Sequence, residues 1–292
     1  MRVTENMRYD SVTTNLSSLS SRQAKAAQEA QTGVRVNLPS DDPIAAAQLA
    51  RLSASQDQIT ARQSTLTSVR GDAELSESQL QQASDLMARA KELATQGANG
   101  SLGADERTAM AKQITDIKAQ LVAVANTKGA NGYIFAGSQN QTQPFDDTGV
   151  FSGDDLDHMV DIGNSTATAV NASGAKAFTA AGGRDVFADL DTLATALAAN
   201  DQAGVSGTLT NLDTSRAQIT NAQAQAGAVI NRLDASDSVL SAAKLSTQKS
   251  SNEIGSADPA QAYSNLTQLN NALQQSISVA KTVLDIGAFK QF

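Results

Sequence analysis

Along most of this chain apolar residues recur at helical spacing, separated by runs of Ser, Thr, Gln and Ala. The clearest stripe is C-terminal: Ala262, Leu266, Leu269, Leu273, Ile277, Ala280, Leu284 and Gly287 step by three or four residues and mark one narrow seam. A sparser stripe opens the chain, at Met7, Val12, Leu16, Leu19, Ala26, Ala30 and Val34. Each is too thinly apolar to form a core alone. The two terminal segments are therefore expected to pack on each other and on further copies, with Leu16, Leu19, Leu266, Leu269, Leu273, Ile277 and Leu284 as the assembly residues.

Between the ends the pattern predicts two long helices. The first terminal helix runs from about residue 4 to 32 and stops at Gly33, a residue suited to a helix C-cap. After a short connector, Asp42 and Pro43 read as a helix start, because aspartate accepts orphan amide hydrogens and proline at the first helical position sacrifices no bond. The helix that follows is striped in sevens at Leu52, Ile59, Leu66, Ala73, Leu80, Met87 and Ala94, which implies supercoiling against a partner. That partner is residues 206 to 252, which repeat in sevens at Leu212, Ile219, Ala226, Leu233 and Leu240. A helix over 104–126 and another from Val186 complete the helical set. Glycine-bounded pieces at Gly132–Gly137, Val150-Phe151, Met159–Ile162 and Thr166–Val170 predict a small, hairpin-rich insertion.

The fold class expected is mainly α: an elongated helical rod with terminal coiled-coil helices and a small β-rich central insertion. Its domains would be 1–43 plus 253–292, 44–139 plus 184–252, and 140–183. Composition agrees with that picture. Leu, Ile, Val and Phe make up only about a fifth of the chain and Trp is absent, so packing rests heavily on Ala. A net charge of -8 with dispersed basic residues argues against nucleic acid. No apolar run reaches a membrane span, and the first twenty residues lack the apolar block of a cleavable signal. The absence of cysteine excludes disulfides and thiol chemistry.

Catalytic readings find little to hold. His158 is the only histidine, and no Gly-x-Ser-x-Gly elbow supplies a serine, so a solvated hairpin residue is the expectation. Asp154, Asp155, Asp157 and Asp161 lack the central Gly and closing Glu of a calcium loop. Gly97, Gly100 and Gly103 follow a helix instead of a strand, which argues against a nucleotide loop. No catalytic residue, metal site or cofactor is expected.

The layout and three stretches resemble the flagellin superfamily. Gly33-Val34-Arg35-Val36-Asn37-Leu38-Pro39-Ser40-Asp41-Asp42-Pro43 resembles the connector of those members that join hook to filament, where filament subunits usually carry Ala-Lys-Asp-Asp-Ala-Ala-Gly. Asn131-Gly132-Tyr133-Ile134-Phe135-Ala136-Gly137-Ser138 resembles the family's entry into its outer domain, and Ala257-Asp258-Pro259-Ala260-Gln261-Ala262-Tyr263 the start of its C-terminal helix. The end, Gly287 to Phe292, departs from the Leu-rich finish common in the family. The resemblance implies a non-catalytic subunit exported unfolded through the flagellar type III channel without a cleaved signal. It implies an extracellular ring layer of self-associated copies between a neighbouring hook-associated protein and flagellin, and a cytoplasmic export chaperone at the C-terminal segment. The connector residues it singles out are Arg35, Asn37, Pro39, Ser40, Asp41, Asp42 and Pro43. A short filament flagellin and a secreted effector or translocator of a related export system are the alternatives. Entropy adds one expectation. Ordering the terminal stripe costs on the order of 1 to 2 kcal/mol per residue. Its five large side chains return only about 1.5 to 3 kcal/mol each. The C-terminal segment is thus expected to be disordered or frayed until neighbours cover it.

Overall fold

A computed structural model describes residues 2–161 and 167–289, with side chains described at residue 7, 9–161 and 167–282. In chain order the elements are α1 (Arg2–Thr32), α2 (Pro43–Gly97), α3 (Ala104–Ala125), β1 (Lys128–Gly129), β2 (Gly132–Tyr133), β3 (Met159–Asp161), β4 (Ala167–Ala169), α4 (Gly174–Phe178), a 3-10 turn at Ala180–Gly182, α5 (Val186–Ala198), α6 (Gln202–Gly255) and α7 (Pro259–Phe289). Contacts divide the chain into two units, residues 1–58 with 243–292, and residues 59–242. Long terminal helices and a small strand insertion make this a mainly helical fold.

In the larger unit the seven-residue repeats face inward. Leu66, Ala73, Leu80, Met87 and Ala94 of α2 and Leu212, Ile219, Ala226, Leu233 and Leu240 of α6 are buried. A polar ladder runs beside this seam. Gln63 Nε2 donates to Ser241 Oγ at 3.0 Å, Arg70 Nη1 lies 3.0 Å from Asp234 Oδ1, Gln223 Nε2 donates to Glu77 Oε1 at 2.8 Å, and Lys91 Nζ lies 2.5 Å from Asp213 Oδ1. The α2 members, 63, 70, 77 and 91, keep the heptad, and their partners recede along α6, so the two helices run antiparallel.

The core is completed by α3 and α5, which pack on each other. Ile114, Ile117, Leu121 and Val124 of α3 and Leu190, Leu193 and Leu197 of α5 are buried. Asp185 starts α5 by accepting from Ala188 N, and Asp201 starts α6 by accepting from Gly204 N at 2.9 Å. The latter helix begins at Gln202, four residues ahead of the sequence expectation, because Asp201 supplies a cap that periodicity does not reveal.

The insertion carries the small strand content that the sequence suggests. Its strands are β3 and β4, an antiparallel pair with Val160 opposite Thr168, plus a single bridge between Phe145 and Phe151. A second small hairpin, β1 with β2, precedes it, and α4 with its 3-10 turn closes it. Phe145 and Phe178 turn inward to meet Phe135 and Phe187, with centroids 5.4 to 6.1 Å apart, so these segments share the helical core. Gly149, at φ +91°, lets the chain pass Phe187: a Cβ there would lie 2.5 Å from the ring's Cγ. Ile162 and Thr166, expected at strand edges, lie outside the described residues.

Two polar clusters hold this unit together. Arg107 of α3 is only 4% exposed. Its Nε donates to Gly97 O at 2.8 Å, its Nη2 to Asn99 O at 2.8 Å and its Nη1 to Asn200 Oδ1. Gln218 donates to Ala177 O, Thr179 O and Arg184 O and accepts from Arg184 N, tying the loops after α4 to α6. Among the described residues no buried side-chain nitrogen or oxygen lacks a partner.

Candidate assembly interface

In the smaller unit α1 and α7 lie against each other. Ala26, Ala262 and Ala280 are buried at the contact, and Gln23 Nε2 donates to Asn270 Oδ1 at 3.0 Å. Small residues at the centre let the two backbones approach while covering little apolar surface. The larger residues therefore sit at the flanks. Leu16 and Leu19 on α1 and Leu266, Leu269 and Leu273 on α7 are half-buried, and Ile277 is 41% exposed. An open groove between the helices is lined by Val12, Leu16, Ala272 and Val279, the last of these 60% exposed. The side chain of Leu284 lies outside the described residues. The C-terminal segment is helical here instead of frayed: α1 covers the middle of its stripe, which the entropy argument left out.

The connector is a hydrogen-bonded hub. Gly33, at φ +67°, closes α1 by donating to Glu29 O at 2.9 Å. Arg35 N then donates to Gly255 O at 2.7 Å and Ala257 N to Gly33 O at 2.8 Å, pairing Val34 with Ser256 across the two connectors. The Arg35 guanidinium reaches Ile254 O at 2.8 Å and Asp42 Oδ2 at 3.1 Å, so it ties the end of α6 to the start of α2. Asp41 Oδ2 accepts from Leu38 N and Asn37 N, while Oδ1 lies 2.9 Å from Lys25 Nζ on α1. Asn37 Nδ2 donates to Val34 O at 3.0 Å. Asp42 Oδ1 accepts from Ala45 N at 3.0 Å, capping α2 in front of Pro43. Pro39 and Ser40 are exposed at the turn.

These contacts set the local electrostatics. The Lys25 ammonium, then the Leu38 amide, holds the Asp41 carboxyl below the usual carboxylate range, and Asp41 in turn raises Lys25. The Ala45 amide, followed by Arg35, lowers Asp42. The other connector repeats the capping device, since Asp258 Oδ1 accepts from Ala260 N and Gln261 N ahead of Pro259. Sequence reasoning singled out the connector residues and placed Ala26, Ala262 and Ala280 on the terminal stripes, but missed Lys25 and the capping role of Asp258. The recurrence of Asp-Pro at 42–43 and 258–259 was a usable signal for the second cap.

The chemistry-bearing residues elsewhere are occupied structurally. His158 is exposed, and its backbone pairs with Asn171 Oδ1 and Val170 N. Asp154 accepts from Ser138 N and Oγ and from Leu156 N, Asp155 from Ser173 Oγ, and Asp161 lies 3.5 Å from Arg62. No group of three or more His, Cys, Asp or Glu among the described residues is placed to hold a metal ion. No helix among the described residues is long and apolar enough to cross a membrane.

Two family models match this arrangement, one at each end: the bacterial flagellin N-terminal helical region over residues 3–140 and the bacterial flagellin C-terminal helical region over residues 209–283. The chain belongs to the flagellin family. It is 33% identical to flagellar hook-associated protein 3 of Salmonella typhimurium over 61% of this chain and 57% of that protein. It is 27% identical to flagellar hook-associated protein 3 of Escherichia coli over 99% of both chains. Among solved structures, a flagellar hook-associated protein from Vibrio parahaemolyticus superposes with a TM-score of 0.68 at 23% identity, covering 74% of this chain and all of that one. The flagellar junction protein FlgL of Legionella pneumophila gives 0.57 at 17% identity, covering 70% of this chain and all of that one. At such identities the superpositions speak for the fold.

Proposed function

We propose that this flagellin-family chain is a structural subunit joining the flagellar hook to the filament, self-associating in a ring layer through α1 and α7. The observation that carries the reading is the half-buried terminal seam. Leu16, Leu19, Leu266, Leu269 and Leu273 keep part of their apolar surface in water, and Ile277 and Val279 keep more. Neighbouring copies that covered those flanks would recover about 25 cal/mol for each Å² removed from water. Relatives matched at 99% of their length or 33% identity carry the hook-associated name, and the Pro39–Pro43 connector favours the junction over the filament. Export in the unfolded state, a chaperone at the C-terminal segment, and hook-associated protein and flagellin as flanking partners belong to the same reading. So does the division into terminal (1–43, 253–292), long-helix (44–139, 184–252) and outer (140–183) regions.

Deleting the gene tests it. Cells that keep hooks but shed unassembled flagellin fit a junction subunit, and intact filaments overturn the reading. Leu273→Glu tests the seam itself: it should abolish incorporation while residues 59–242 keep the thermal transition of the wild type. Normal incorporation of that variant would remove the seam from the account.

A further inference from the structure

We infer that Asn99 is a self-modifying residue, converted to aspartate and isoaspartate through a cyclic imide formed with Gly100. The pair lies in the exposed turn between α2 and α3, and the turn arranges both reacting groups. Gly100 supplies the nucleophile. Its N–H donates to no acceptor among the described residues, and it carries no side chain of its own; the Gln202 side-chain amide packs beside it, 3.4 Å from where a Cβ would stand. The amide nitrogen of Gly100 is bonded to the Asn99 carbonyl carbon, and the oxygen of that carbonyl accepts from Arg107 Nη2 at 2.8 Å and from Leu102 N at 3.3 Å. A buried guanidinium on this oxygen draws electron density from the peptide and acidifies the Gly100 N–H. The side-chain amide is the electrophile. Asn99 Oδ1 accepts from Ser101 N and from Ser101 Oγ, both at 3.1 Å, and this is the atom that gains negative charge on attack. Two donors already aimed at a developing oxyanion are the arrangement that speeds acyl transfer.

The step balances with water as the sole co-reactant. A solvent base takes the Gly100 amide proton, and the nitrogen bonds to Asn99 Cγ. The carbonyl electron pair moves to Oδ1, held by Ser101, and returns to expel Nδ2 as ammonia, which takes its extra proton from water. Water then opens the imide. Addition at Cγ leaves aspartate, and addition at the main-chain carbonyl leaves isoaspartate, with the side chain carried into the backbone.

A second Asn-Gly pair in the chain is the internal control. At Asn131-Gly132 the side-chain amide is pinned the other way, Nδ2 donating to Asp72 Oδ2 at 2.7 Å and to Ser68 Oγ at 3.1 Å. Among the described residues its main-chain carbonyl accepts from the neutral amides of Asn140 and Gln141 and from no cation. Hydrogen bonds to the leaving amide, and no cation on the peptide, leave Asn131 unactivated.

Peptide mapping of the full chain, aged at body temperature and mildly alkaline pH, tests the inference. Modified Asn99, one dalton heavier, should accumulate at least several-fold faster than modified Asn131. Ser101→Ala should slow it several-fold, and Gly100→Ala should nearly stop it, with circular dichroism confirming that both variants keep their helices. An unmodified Asn99, equal rates at the two sites, or an unchanged rate in Ser101→Ala would overturn it. If Ser101→Ala does not fold, the comparison of Asn99 with Asn131 in the wild type decides alone.

Discussion

Replacing Arg107 by Met should destabilise the larger unit by about 3 to 5 kcal/mol. The magnitude follows from what the guanidinium satisfies. Arg107 carries its charge into the interior with no carboxylate bonded to it among the described residues; its acceptors are carbonyls at the end of α2, Gly97 O and Asn99 O, and the Asn200 side chain after α5. A helix C-terminus is the negative end of its peptide dipoles, so the cation is offset by the end of α2. Met keeps the apolar stem and removes every donor. Gly97 O, whose bond to Arg107 is fully buried, then loses its partner at a cost of about 1 to 3 kcal/mol. The two part-buried acceptors recover water and lose about 1 kcal/mol each. For a unit of this size each kcal/mol lowers the melting temperature by about 2 to 4 °C, so a drop of about 6 to 20 °C is expected. Far-UV circular dichroism melts measure it directly in this helical chain. Arg107→Lys should fall in between, because one ammonium cannot reach three acceptors that a planar fork reaches together. A melting temperature within about 3 °C of wild type for the Met variant would refute the account, since it would mean less than the price of one buried carbonyl.

Acid should loosen the connector before it unfolds the helical core. Asp41 and Asp42 are depressed in the folded chain, so the stability they supply is present above the ordinary carboxylate range and is lost as pH falls through their folded values. Hydrogen-exchange protection of amides 37, 38 and 45 should drop below about pH 4 while α3 stays protected; equal protection at acid and neutral pH would count against it. Phe178→Ala should cost about 3 to 5 kcal/mol, because its ring packs edge-on against both Phe135 and Phe145. A chemical-denaturation shift below about 1 kcal/mol would place Phe178 outside the core.

Much of the helical frame was legible because seven-residue repeats expose the buried face of a helix directly. Leu80, Met87, Leu212 and Ile219 fall inside as their spacing demands. Partners are less legible than faces: the stripe on α3 does not say that α5 covers it. Arg107 and Gln218 were invisible for a related reason. Both are residue types that favour solvent, and what buries them is a set of main-chain carbonyls arriving from elsewhere in the chain. The hairpin of the insertion was legible from glycine punctuation around β-branched residues; α4 was not, because Gly174 to Phe178 is too short to show a helical period. At the interface, the connector's polar residues could be read from Asp-Pro capping logic. The alanines at the centre of the α1 and α7 contact fell on the two terminal stripes, but spacing alone does not say that they, and not the leucines beside them, sit deepest.

The polar ladder between α2 and α6 resolves an ambiguity that the apolar seam leaves open. A seam that repeats every seven residues is blind to a slip of seven, which would slide one helix past the other by about 10 Å and still set Leu, Ile and Ala against their like. The ladder does not repeat. Either slip carries Lys91 away from Asp213 to a hydroxyl residue, Thr220 or Ser206, and one of them also sets Arg70 opposite Gly227. The leucines make the two helices adhere, and the glutamine, arginine and lysine pairs tell them where to stop.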